Sequence, residues 1–266
     1  MTDAGPLRQF LESIPGELLA ARGDGHGVRV AIVDSGVDAA HPALAGRVER
    51  SVAVDRGPEG WRVIDVEPGD PAGHGTACAG IVVRLAPECR IWSVRILGEA
   101  ARGQGAALLT ALDWAITSGA DVINVSLGTR SPELAEPLRA RIDRAYRANA
   151  IVVAAASNLP GVRSFPSIFS SLIAVDSAAI EDHDKFYFRF GRESEIEAPG
   201  IYVRAPWPGG SEKIVTGTSF ACPHVSGHVA RLISANPGLK PFHIKTLMYA
   251  IGLAHARQDG PKQEAA

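Results

Sequence analysis

Gly217-Thr218-Ser219-Phe220-Ala221-Cys222-Pro223-His224-Val225 sets a serine among small residues and runs directly into an apolar stretch, Val225 to Ala235. The pattern predicts a helix over 219–235, with Ser219 exposed in its first turn above the positive end of the helix dipole. A hydroxyl there has its own backbone N–H to offer a developing oxyanion, which suits a nucleophilic serine. A serine at a helix start is also a common N-cap without chemistry. The decision therefore rests on whether the rest of the chain holds its partners.

Two other segments supply them. Val28-Arg29-Val30-Ala31-Ile32-Val33 is a β-branched run that reads as a buried strand and ends in Asp34-Ser35-Gly36-Val37-Asp38. A carboxylate at the C-terminal end of a central strand lies where open α/β sheets place their sites. In Gly73-His74-Gly75-Thr76-Ala77-Cys78-Ala79-Gly80, a histidine between glycines enters a helix of small residues. Glycine neighbours let another chain approach the imidazole closely. Alone, the aspartate is a turn former and the histidine a satisfied core group; together with Ser219 they form an Asp, His, Ser series.

Strands read at 28–33, 91–96, 121–126, 150–155 and 172–176, alternating with helices at 74–84, 104–118, 133–148, 219–235 and 241–252. Such alternation predicts an α/β fold with a mostly parallel central sheet and helices on both faces. The segment 177–216 reads as turns and short strands.

In this chain order the three blocks resemble the subtilisin-like serine proteases, the subtilases. A fourth block agrees: Ile151-Val152-Val153-Ala154-Ala155-Ala156-Ser157-Asn158 is similar to the family strand that ends in an oxyanion asparagine. The resemblance runs from about Gly27 to Met248. It implies the three-layer subtilisin-like fold and a serine endopeptidase with Asp34, His74 and Ser219 as catalytic triad. It also implies an oxyanion hole made by Asn158 and the backbone N–H of Ser219.

The same resemblance implies that an extended substrate lies between Ser126-Leu127-Gly128 and Ala101-Arg102-Gly103. Ser126, Leu127 and Gly128 would wall the pocket for the residue before the cut (P1), together with Ala154, Ala155, Ala156 and Ser157. Arg102 reads either as a solvated arginine or as a preference for acidic residues a few positions N-terminal to the cut. Three positions depart from the family pattern. Ser157 replaces a glycine, Ala77 replaces a second histidine, and Cys78 lies one helical turn below His74. Cys78 and Cys222 read as buried small apolar residues. Phe165-Pro166 resembles a position where the peptide bond is cis.

Metal binding reads as absent. Where relatives use an aspartate as a calcium ligand, this chain has Ala43. Val82-Val83-Arg84-Leu85-Ala86-Pro87 leaves no room for the family's ligand loop. Calcium needs six to eight oxygens, and no zinc-ligand spacing occurs either. No cofactor is expected.

The 266 residues, 46% hydrophobic and 21% charged, suit one compact enzyme. A net charge of −2 with scattered signs argues against nucleic acid or an anionic membrane as partner and leaves a peptide or protein substrate. No apolar run approaches the roughly 20 residues that span a bilayer. Met1-Thr2-Asp3-Ala4-Gly5-Pro6-Leu7 lacks a signal-peptide pattern, and three cysteines make no disulfide framework; both predict a cytoplasmic enzyme. The expected organisation is an N-terminal extension over 1–26, a peptidase domain over 27–253 and a disordered tail over 254–266. The leading function is an endopeptidase, intracellular and dedicated to processing specific peptides. The alternatives are a catalytically weak peptide-binding subtilase and a peptide transpeptidase or cyclase.

Overall fold

The computed structural model describes residues 5–16, 23–44, 46–98, 105–159 and 161–260. Nine strands form one sheet in the order β3-β2-β4-β1-β5-β6-β7-β9-β8. Its parallel body is β1 (Arg29–Asp34), β2 (Val48–Gly57), β4 (Arg90–Arg95), β5 (Val122–Val125), β6 (Ile151–Ala155), β7 (Ile173–Ala178) and β9 (Ile196–Pro199). Antiparallel β3 (Gly60–Asp65) and β8 (Tyr187–Phe188) close the two edges. A separate hairpin joins β10 (Val203–Trp207) to β11 (Ser211–Val215).

The central strands are covered on both faces and so read as continuous apolar runs. Their side chains alternate between two cores. Val30 and Ile32 of β1 join one, packed by α2 (His74–Leu85), α5 (Thr218–Ala235) and α6 (Pro241–Gln258). Ala31 and Val33 join the other, packed by α3 (Gly105–Ser118) and α4 (Ala135–Arg147). The period of two gives three layers, with α2 and α5 on the same side of the sheet. The expected strands and helices stand within a residue or two of their predicted limits, apart from the far end of α6.

That end corrects the expected tail over 254–260, while 261–266 lie outside the described residues. Helix α6 runs to Gln258, and His255 and Ala256 are buried. Phe186 packs edge-on against His255, and Asp259 is held by Lys185 at 2.5 Å and by the Tyr187 hydroxyl at 2.7 Å. The polar look of this stretch hid anchoring partners some 70 positions away. Near the other end, α1 (Gly5–Glu12) lays Leu11 against Phe188, Ala250 and Leu253. Among the described residues no helix is long and apolar enough to cross a membrane.

Candidate active site

Strand β1 delivers Asp34 fully buried at its C-terminal end, and α2 begins at His74 beside it. His74 Nδ1 lies 2.8 Å from Asp34 Oδ1 and 2.9 Å from Oδ2. A carboxylate only accepts, so Nδ1 carries the proton and Nε2 is left as an acceptor. The approach needs Gly75, since a Cβ there would stand 2.1 Å from the Gly36 carbonyl oxygen.

Asp70 fixes the two elements to one another. Its Oδ1 accepts from the Ser35 hydroxyl at 2.7 Å and from Gly73 N at 2.7 Å. Its Oδ2 accepts from Thr76 N at 2.8 Å and the Thr76 hydroxyl at 2.7 Å. Ser35 Oγ in turn accepts from Gly75 N at 3.0 Å. A carboxylate thus satisfies the orphan N–H groups of the first turn of α2, where negative charge is favoured. Sequence reasoning passed over Asp70 and Ser35; the signal was an acidic residue just ahead of a helix that starts on glycine and histidine.

Ser219 sits in the first turn of α5, after Gly217, whose φ of 151° is closed to most side chains. Asn158 Oδ1 accepts from Thr218 N at 2.8 Å and from the Thr218 hydroxyl at 3.1 Å. With its oxygen so held, the Asn158 amide nitrogen stays free to donate. A Cβ built on Gly217 would lie 3.4 Å from both Asn158 Oδ1 and Ser219 Oγ, so amide and hydroxyl flank one glycine. Thr218 was not singled out in the sequence. Among the described residues the Ser219 hydroxyl has no hydrogen-bond partner; such bonds often tighten only with substrate bound.

Below these groups lies Cys78, buried and unpaired in any disulfide. Its Sγ is 3.7 Å from Asp34 Oδ2, 3.5 Å from Ser126 Oγ and 3.5 Å from the Ser219 carbonyl oxygen. Pro223 inside α5 has no N–H to give that carbonyl, and the thiol stands in its place. Burial pushes the Cys78 thiol up, with His74 opposing that and Asp34 adding to it. Burial is the largest influence on His74 too and opposes its charge, but Cys78 and then the Asp34 carboxylate outweigh it and raise the imidazole above its ordinary value. The Phe220 ring packs on His74 with centroids 4.8 Å apart.

A cavity of about 270 Å³ opens beside Ser219. Ser126, Leu127 and Gly128 form one wall, and Ala155, Ala156 and Ser157 the other, with Asn158 at the rim. Ala154 does not line it: strand alternation turns its side chain into the α3–α4 core. Thr129, Arg130 and Ser164 line it without having been foreseen. Ala101, Arg102 and Gly103 lie outside the described residues. The Phe165-Pro166 bond is cis, as the resemblance implied.

The residues at the family's calcium position do not fit that ion. Ala43 presents a methyl group, and its N–H is bonded to His41 Nδ1 at 3.1 Å. Helix α2 runs unbroken to Leu85, and β4 starts at Arg90. Among the described residues the close group of metal-type ligands is Asp34, His74 and Cys78, two of which are bonded to each other.

Comparison with known proteins agrees with this architecture. A model of the subtilase family matches residues 25–254. Thermitase from Thermoactinomyces vulgaris is 32% identical over 225 residues, covering 80% of this chain and 76% of its own. Subtilisin NAT from Bacillus subtilis subsp. natto is 31% identical over 228 residues, covering 80% of this chain but only 57% of the relative, so the chain spans little more than half of it. Among solved structures, sphericase superposes with a TM-score of 0.72 at 25% identity, over 85% of this chain and 83% of its own.

Proposed function

The chain belongs to the subtilase family, and on that premise we propose that it is a serine endopeptidase that cuts peptide bonds through an acyl-enzyme. Ser219 Oγ attacks the scissile carbonyl while His74 Nε2 takes its proton. Asp34 holds the Nδ1–H tautomer and stabilises the imidazolium. The oxyanion that forms is met by the Asn158 amide and the Ser219 N–H. His74 then gives the proton to the leaving amine. Water enters by the same route in reverse and frees the new carboxylate.

The observation that carries this reading is the double contact of His74 Nδ1 with both oxygens of buried Asp34, at 2.8 and 2.9 Å, which leaves Nε2 as the base. A peptide stretched along Ser126 to Gly128 gains main-chain hydrogen bonds whatever its side chains, so selection falls to the pocket. No metal takes part in this scheme. Three buried cysteines without a disulfide suit a reducing compartment, which supports intracellular processing of particular peptides as the setting.

The test is labelling with a fluorophosphonate probe, beside Ser219→Ala, followed by digestion of a peptide library. Labelling and cleavage by the parent protein alone are expected. A folded parent protein that neither labels nor cleaves would overturn the proposal.

A further inference from the structure

Resting on that endopeptidase reading, we infer that the pocket beside Ser219 selects an acidic side chain at P1, with Arg130 as the specificity-determining residue. The pocket is walled by small residues and hydroxyls, and among the described residues Arg130 is the charged one that lines it, with no aspartate or glutamate beside it. A lysine or arginine entering there meets a like charge, and a carboxylate meets donors.

The backbone explains which face Arg130 takes. Thr129 and Phe165 form an antiparallel bridge, with Thr129 N donating to Phe165 O at 2.9 Å and Phe165 N to Thr129 O at 2.8 Å. In such a pair Arg130 stands opposite Ser164, and alternation puts both on the face that Gly128 shares. Gly128 marks that face, since a Cβ there would point at Ser164 Oγ from 3.3 Å. The bridge therefore borders the pocket and sets Arg130, itself exposed, on one face with the buried Ser164.

Arg130 keeps donors to give. The Ser167 hydroxyl donates to Ser164 O at 2.9 Å, so the Ser164 hydroxyl spends its one hydrogen on Ser167 Oγ at 3.2 Å. Among the described residues Arg130 makes no ion pair, whereas neighbouring Arg163 is bonded to Glu193 at 2.9 Å. Thr218 is engaged as well, donating to Ala156 O at 2.8 Å, whereas Ser126 only accepts, from Asn124 at 2.7 Å, and keeps its hydroxyl hydrogen. An incoming carboxylate thus finds a fork of guanidinium donors and the Ser126 hydroxyl, a charge-assisted arrangement.

The test uses peptide substrates that differ only at P1 (Glu, Gln, Leu or Lys), with the parent protein, Arg130→Gln and Arg130→Glu, and fluorophosphonate labelling in parallel. A partly exposed pair with one added serine donor predicts kcat/KM for Glu about tenfold above Gln, shrinking as salt rises. Arg130→Gln should bring that ratio near one, and Arg130→Glu should invert the order of Glu and Lys. Preference of the labelled parent protein for Leu or Lys over Glu overturns the inference and leaves the endopeptidase reading standing. So does a ratio that neither variant moves. A folded parent protein that neither labels nor cuts overturns both. The parent ratio needs no variant, so a misfolded substitution does not shelter the inference.

Discussion

His183 Nδ1 and His224 Nε2 lie 2.7 Å apart, and the direction of the hydrogen bond between them is fixed by what surrounds them. His224 Nδ1 must donate to Phe220 O at 2.9 Å, so its Nε2 accepts from His183. His183 Nε2 is then the acceptor that faces Arg84 at 3.4 Å. The chain of donors works only with both imidazoles neutral, and burial holds His224 down to about 3.

Stability should therefore fall on acidification. Between the unfolded value of about 6.5 and the folded value of about 3, the unfolded chain binds the extra proton, so unfolding becomes easier as pH drops. His224 alone contributes a slope approaching about 1.4 kcal/mol per pH unit in that window. His183, lowered by its own burial and by Arg84, adds in the same sense, while Asp182 and Asp184 oppose it. Denaturant unfolding at pH 7, 6 and 5 should show a shallower slope for His224→Gln than for the parent protein. Equal slopes would count against the neutral pair.

Asp70 should matter to turnover more than to binding. Asp70→Asn keeps the shape but removes acceptors from Ser35 and from the first turn of α2, loosening Asp34 and His74 together. A loss of about tenfold in kcat with little change in KM is expected, since small misplacements are costly. His74 must be neutral to act as base, and Cys78 and Asp34 together raise it. The acid limb of kcat/KM should thus lie above the usual imidazole value and shift downward in the variant. An unshifted limb with full kcat would reduce Asp70 to a helix cap.

Asn158→Ala should lower kcat about 10²–10³-fold, a scale that comes from subtilisin and not from this chain. KM should hold, because the amide donates to charge that develops only in the transition state. The variant should also lose some stability, as Thr218 N gives up its acceptor. Unchanged turnover would remove Asn158 from the oxyanion hole.

Chelation should leave both activity and melting temperature unchanged, given Ala43 and the unbroken α2. The check is a thermal melt and a peptide assay with and without EDTA. At this size about 1 kcal/mol corresponds to roughly 2–4 °C, so a larger fall would reveal a bound ion.

The sequence made the parallel strands and the helices beside them readable because their apolar periods are local. It did not show the β2–β3 hairpin, whose residues are charged and half-exposed, as suits an edge. Asp34, His74, Ser219 and Asn158 stood out because each closes a strand or opens a helix. Arg130 and Ser164 did not, since their meeting depends on a bridge between segments more than thirty positions apart. Asp70 was hidden in the same way, as its partners lie on two elements. Ala154 was misassigned because adjacent residues of one strand were given one wall.

The alternation of β1 has a further consequence. Ile32 faces the α2–α5 layer and Val33 the opposite one, so Asp34 emerges on the side of His74 by parity alone. A slip of one residue would send the carboxylate into an oily interior and present a valine to the imidazole. In this architecture the reactive centre works as a readout of sheet alignment, silent when the strand is out by one residue.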